Sequence, residues 1–147
     1  MEIGVKSERA KRGDMTPDDP RAGIRPADGG MGIVRAARNS LRGVREAAAT
    51  EAAVRQELAV TALAVPLSFV IATNAWIWLA MVASLLFVLA VEFLNTALER
   101  LCNHVTPQPN EAIGITKDLA SAAVMFALLI AGLVWIVALL DRLGAFD

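Results

Sequence analysis

The stretch LAVTALAVPLSFVIATNAWIWLAMVASLLFVLAV, Leu58–Val91, contains no charged residue. One membrane-crossing helix needs about 20 apolar residues, so this run is too long for a single crossing. Thr73-Asn74 is the natural break, and Trp76 and Trp78 follow it, where interfacial aromatics are expected. Pro66 falls inside the first crossing, where neighbouring helices can satisfy a freed carbonyl. A third uncharged block, Leu119–Leu140, is opened by Lys117-Asp118 and closed by Asp141-Arg142. Its small residues Ser121, Ala122 and Gly132 suit close helix contact. The chain therefore reads as an all-α membrane protein with three transmembrane helices, at about 57–73, 75–98 and 118–140.

Composition narrows the function classes. The chain has 147 residues, is 56% hydrophobic and carries a formal net charge of −1. That suffices for one small domain. Its single cysteine, Cys102, excludes an internal disulfide framework, and its single histidine, His104, cannot build a histidine-based metal site. No Cys/His cluster has zinc spacing, and nothing points to nucleic acid as a partner.

Upstream of the apolar run the chain changes character twice. Met1–Gly30 is rich in Arg, Lys, Asp, Pro and Gly and reads as a disordered tail, with no apolar core to make it a signal peptide. Met31, where patterned sequence begins, is a possible alternative start, and residues 31–147 form the membrane domain. In the next segment Ile33, Val34, Ala37, Leu41 and Val44 recur at helical spacing, with Arg35, Arg38, Arg42 and Arg45 on the other face. A basic amphipathic surface helix before a span lies in the interface and meets anionic lipid. Gly43 weakens that helix and offers a turn. Glu51 and Arg55 then stand in the favourable order for an i, i+4 pair.

The basic residues also set orientation. Arg35, Arg38, Arg42, Arg45 and Arg55 precede the first span, Arg100 and Lys117 bracket the second loop, and the Thr73-Asn74 turn has none. The positive-inside rule places the N-terminus and second loop in the cytoplasm and the C-terminus outside. Three charged clusters, Glu51–Glu57, Glu92–Arg100 and Lys117-Asp118, then meet at one membrane face.

The middle cluster carries the sharpest pattern. Glu92, Asn95 and Glu99 are three and then four residues apart, which stacks them on one helix face. Phe93, Leu94, Ala97 and Leu98 continue the apolar surface between them. Carboxylates at membrane depth are costly and mark functional sites. Mg²⁺ takes one or two carboxylates and shares its remaining positions with phosphate and water. Glu51 and Glu99 suit that role, Lys117 can hold phosphate as a point charge, and Glu92 is left to act as base on a lipid hydroxyl. A structural or transport role for the same charges stays open at this point. No Gly-rich phosphate loop or kinase catalytic-loop signature is present.

Three segments together resemble the prokaryotic diacylglycerol kinase family: Glu51-Ala-Ala-Val-Arg-Gln-Glu57, Val91-Glu-Phe-Leu-Asn-Thr-Ala-Leu-Glu99 and Lys117-Asp-Leu-Ala-Ser-Ala-Ala-Val124. The likeness runs from about Met31 to Leu140 and includes the spacing between the motifs. It implies a small inner-membrane enzyme with three spans and a surface helix, assembled as a homotrimer with sites shared between subunits. The implied reaction moves the γ-phosphate of Mg·ATP to diacylglycerol, giving phosphatidic acid. By motif, the resemblance makes Glu92 the catalytic base and Glu51 and Glu99 the ligands of metal and nucleotide. It makes Ser40, Lys117 and Asp118 ATP contacts and Asn95 and Arg35 supporting residues. Arg55, Gln56 and Ser121, with Glu92, match positions near the lipid.

The chain departs from the family pattern at three places. Gly32 stands where an Arg is frequent, Asn103 where an acidic residue is usual, and Gln108-Pro109-Asn110 where the loop commonly carries Glu-Tyr-His. Two other readings compete. One is an undecaprenol kinase on the same scaffold, which the Arg55-Gln56-Glu57 entrance resembles less. The other is a non-catalytic or transport protein that uses Glu92 for ion coupling.

Overall fold

The computed structural model describes residues 29–106 and 108–146, so most of the N-terminal segment read as a disordered tail, and Pro107, lie outside the described residues. The described residues form four helices and no strand: α1 (Gly29–Thr50), α2 (Ala52–Ile71), α3 (Ala75–Val105) and α4 (Glu111–Arg142). α2, α3 and α4 are long and apolar enough to cross a membrane. This matches the three expected spans, with α3 and α4 running beyond the apolar cores that define them.

Each break has a local cause. Glu51 is in extended conformation between α1 and α2. At the α2–α3 turn Asn74 caps α3, its side-chain oxygen accepting from Trp76 N at 2.9 Å and Ile77 N at 3.1 Å. Asn110 does the same for α4, accepting from Ile113 N at 3.3 Å. At the C-terminal end Gly144, at φ 76°, lets the chain reverse. Ala145 N donates to Leu140 O and Gly144 N to Asp141 O, the paired bonds of a Schellman stop. α1 runs through Gly43 without a turn, and α2 runs through Pro66.

Within the unit formed by Ser40 onward, α3 packs mainly against α4 and less against α2. The seam is narrow and made of small residues. Val88 sits against Ala127 and Ala131, with Val91 half-buried beside them. Ala138 continues the buried face of α4. This corrects the expected contact residues. Ser121 and Gly132 are exposed and Ala122 is only half-buried, because the face of α4 turned to α3 carries the alanines instead. A Cβ on Gly132 would meet nothing within 4 Å. Ser68 and Ser84, both buried, donate to Val65 O (2.7 Å) and Met81 O (2.8 Å), so neither leaves an unpaired hydroxyl in the apolar layer.

Outward, the helices expose Leu63, Phe69, Trp76, Leu119 and Leu133. Exposed apolar surface on this scale suits a hydrocarbon solvent rather than water. Trp78 is half-buried and packs on Phe69, with ring centroids 5.1 Å apart.

Candidate active site

The polar residues of the spans collect where α3 leaves the alanine seam. Glu92 lies just past the middle of α3 and is only 5% exposed. It has not emerged into water, although the charged end of the helix follows it. The carboxylates whose charge reaches it are Glu57 on α2, Glu99 one turn or two further along α3, and Glu51 at the α1–α2 break. Three parts of the chain thus contribute carboxylates whose charge bears on Glu92.

Asn95 stands one turn beyond Glu92 on the same face. Its Oδ1 is buried and has no hydrogen-bond partner among the described residues. An orphaned buried acceptor beside carboxylates calls for a donor or a cation. Among the described residues no three His, Cys, Asp or Glu side chains form a closed metal centre. The donors at hand, from Glu51, Glu99 and Asn95, are all oxygens, the set preferred by a hard cation that completes its shell with water and phosphate. Their chemistry suits a hard divalent cation that takes its remaining ligands from elsewhere.

The structure changes one expected pairing. The Glu51 side chain does not pair with Arg55: Glu51 is the extended N-cap residue of α2, and only its carbonyl meets Arg55, accepting from the backbone N at 3.3 Å. Arg55 Nη1 instead donates to Ala48 O at 3.4 Å. Glu51 pairs with Arg100, whose Nη2 stands 3.1 Å from Glu51 Oε1.

Two recesses lie along the same helices. One, of about 270 Å³, lies between α2, α3 and α4 and is lined by Val60, Leu85, Val88, Ala131 and Trp135, with Glu57 as its charged edge. The other, of about 580 Å³, is polar and lies where α3 ends and α4 begins, with Asn103, Thr106, Gln108, Asn110 and Lys117 in its wall. Lys117 Nζ donates to Asn103 Oδ1 at 2.7 Å across this recess. The apolar recess thus includes Glu57, one of the carboxylates whose charge bears on Glu92, and the polar one is walled by the end of α3 and the start of α4.

Comparison with known proteins decides what this arrangement belongs to. Residues 38–139 match the family model described as prokaryotic diacylglycerol kinase. The chain belongs to the prokaryotic diacylglycerol kinase family. It is 34% identical over 112 residues to a diacylglycerol kinase of Escherichia coli (strain K12), covering 76% of this chain and 92% of that protein. A diacylglycerol kinase of Haemophilus influenzae is 33% identical over 103 residues, covering 70% of this chain and 87% of its own length. One from Pseudomonas aeruginosa is 32% identical over 108 residues, covering 74% and 88%. The chain is thus an enzyme of a lipid kinase family.

Against this family frame the expected site residues divide. The charges of Glu51 and Glu99 bear on Glu92 as one acidic cluster, and Asn95 stands on the Glu92 face of α3. Lys117 lines the polar recess with Asn103. Ser40, Gln56, Asp118 and Ser121 are exposed, with no hydrogen bond to the cluster among the described residues. Arg35 is exposed on α1. Sequence reasoning left out two participants. Glu57 was legible as part of a charged entrance, but only folding puts it beside Glu92. Arg100 read as a topology marker, and its partner lies 49 residues away in sequence.

Proposed function

We propose that the protein phosphorylates the hydroxyl of 1,2-diacylglycerol with Mg·ATP at the cytoplasmic face of a bacterial inner membrane, giving phosphatidic acid. The observation that carries this reading is Glu92, a carboxylate buried to 5% exposure on an apolar helix, one turn beyond Val88, which lines an apolar recess, in a chain of this family. A lipid hydroxyl can arrive laterally while ATP arrives from water.

In this reading the apolar recess beside Glu57 receives acyl chain and brings the hydroxyl to Glu92. The hydroxyl oxygen attacks the γ-phosphorus, its proton passes to the Glu92 carboxylate, and the bond to the β–γ bridging oxygen breaks to release ADP. Glu51 and Glu99 would hold the metal, which when bound would supply charge neutralisation for the phosphates. Lys117 binds phosphate from the polar recess, and Ser40 and Asp118 add nucleotide contacts. Asn95 supports the cluster through its free Oδ1. Arg55, Gln56 and Ser121 border the lipid, and Arg35 assists from α1. The N-terminus is cytoplasmic and the C-terminus outside, as the basic residues require. α1 lies on the membrane surface through its apolar face. The assembly is a homotrimer with shared sites, which would bring a second copy to the exposed residues around the cluster.

The test is phosphate transfer from γ-labelled ATP in mixed micelles, with diacylglycerol and undecaprenol offered separately. Labelled phosphatidic acid that vanishes in Glu92→Gln is expected. Label on undecaprenol alone would keep the mechanism and change the substrate. No label on either lipid would overturn the kinase reading and favour ion coupling through Glu92.

A further inference from the structure

Arg100 follows Glu99 on α3 and bridges to the break between α1 and α2. Its Nε and Nη2 both donate to Glu51 Oε1, at 3.3 and 3.1 Å. Nη2 also donates to Thr50 Oγ1, and that hydroxyl donates to Glu46 O at 3.0 Å. This is the only ion pair among the described residues.

Three features make the contact more than a clip. Glu51 is the N-cap residue of α2, yet its carboxylate makes no capping bond and is turned to Arg100 instead. The pair is open to solvent, at 42% and 35% side-chain exposure, so it is weak and can exchange partners. The carboxylate it occupies is also one of the two assigned to the metal. A divalent cation at Glu51 competes directly with the guanidinium for that oxygen.

The charge balance points to where the guanidinium goes. Glu51, Glu57 and Glu99 add negative charge near Glu92, where the proposed reaction brings polyphosphate. Lys117 is held at the far recess by Asn103. Arg100 is the cation already inside the cluster, and a guanidinium matches phosphate oxygens with paired N–H donors. We infer that Arg100 is a phosphate-binding residue that Glu51 holds in the free enzyme. When Mg·ATP engages Glu51, the guanidinium exchanges carboxylate oxygen for phosphate oxygen. The inference rests on the proposed kinase reading and adds a residue to it.

The test measures binding apart from turnover. Full-length Arg100→Ala and Arg100→Lys would be compared with wild type in micelles. Free Mn²⁺, followed by electron paramagnetic resonance, reports metal affinity without nucleotide, and equilibrium dialysis reports Mg·ATP affinity without lipid. Exchange predicts opposite movements in Arg100→Ala. Mn²⁺ binds about two- to fivefold tighter, because a weak competitor is gone. Mg·ATP binds about tenfold weaker or worse, because a charge-assisted contact is lost. Arg100→Lys recovers part of the ATP affinity. Both affinities unchanged, or both weakened together, would overturn the exchange and leave a structural clip. Wild-type enzyme that binds Mg·ATP but phosphorylates no lipid would fail the kinase reading while leaving this comparison intact.

Discussion

The two ends of the helical unit handle polar groups in opposite ways. At the α2–α3 turn Thr73 and Asn74 both find close partners, and the one unpaired group nearby is the Trp78 indole N–H. Asn74 caps α3, and Thr73 Oγ1 donates to Asp141 Oδ2 at 2.6 Å, tying the turn to the end of α4. At the other end the charges of three carboxylates bear on Glu92, one ion pair offsets them, and the Asn95 oxygen is left without a partner. The first end is nearly complete by itself. The second leaves a polar acceptor unpaired beside like charges, an arrangement that marks candidate functional sites.

That contrast predicts a graded set of mutational effects. The largest belongs to Glu92→Gln, which keeps shape and removes the proton acceptor. A loss of about 10² to 10⁴ in kcat is expected, with helical content and oligomer size unchanged by circular dichroism and sedimentation. Activity above a tenth of wild type would remove Glu92 as base. Next comes Glu99→Gln, for which a Mg²⁺ titration of activity should shift upward by at least the about tenfold that loss of a supporting metal partner costs. An unshifted titration would detach Glu99 from the metal.

Smaller effects probe the margins of the comparison. Asn103→Asp places a carboxylate against Lys117 and adds negative charge at the polar recess. KM for ATP should rise about two- to fivefold with kcat little changed; a KM that stays put would separate the recess from the nucleotide. The least effect on activity is expected at the other end. Thr73→Val removes the bond to Asp141 and should lower stability by about 1 kcal/mol, read from the thermal unfolding midpoint in micelles. Its kcat should match wild type. If Thr73→Val impaired turnover as much as Glu99→Gln, the division between a structural and a functional end would collapse.

Much of this organisation was legible in the residues themselves. The uncharged run Leu58–Val91 and the block Leu119–Leu140 determine three membrane-length helices, because hydrocarbon admits no unpaired backbone and no free charge. Thr73-Asn74 determines the first turn, because Asn caps the helix that follows. The spacing of Glu92, Asn95 and Glu99 puts them on one face by helical period alone. The motifs around Glu51, Glu92 and Lys117 were enough to indicate the family.

What only the tertiary structure decided is which charges meet. Glu51 and Arg55 have the spacing of a helical pair, but Glu51 is extended and turns to Arg100. Ser121 and Gly132 have the size for a helix seam, but α4 presents Ala127, Ala131 and Ala138. In both cases local spacing offers several partners of nearly equal merit. The choice is made by how α2, α3 and α4 pack, since a surface ion pair or a small-residue contact contributes too little to dictate that packing.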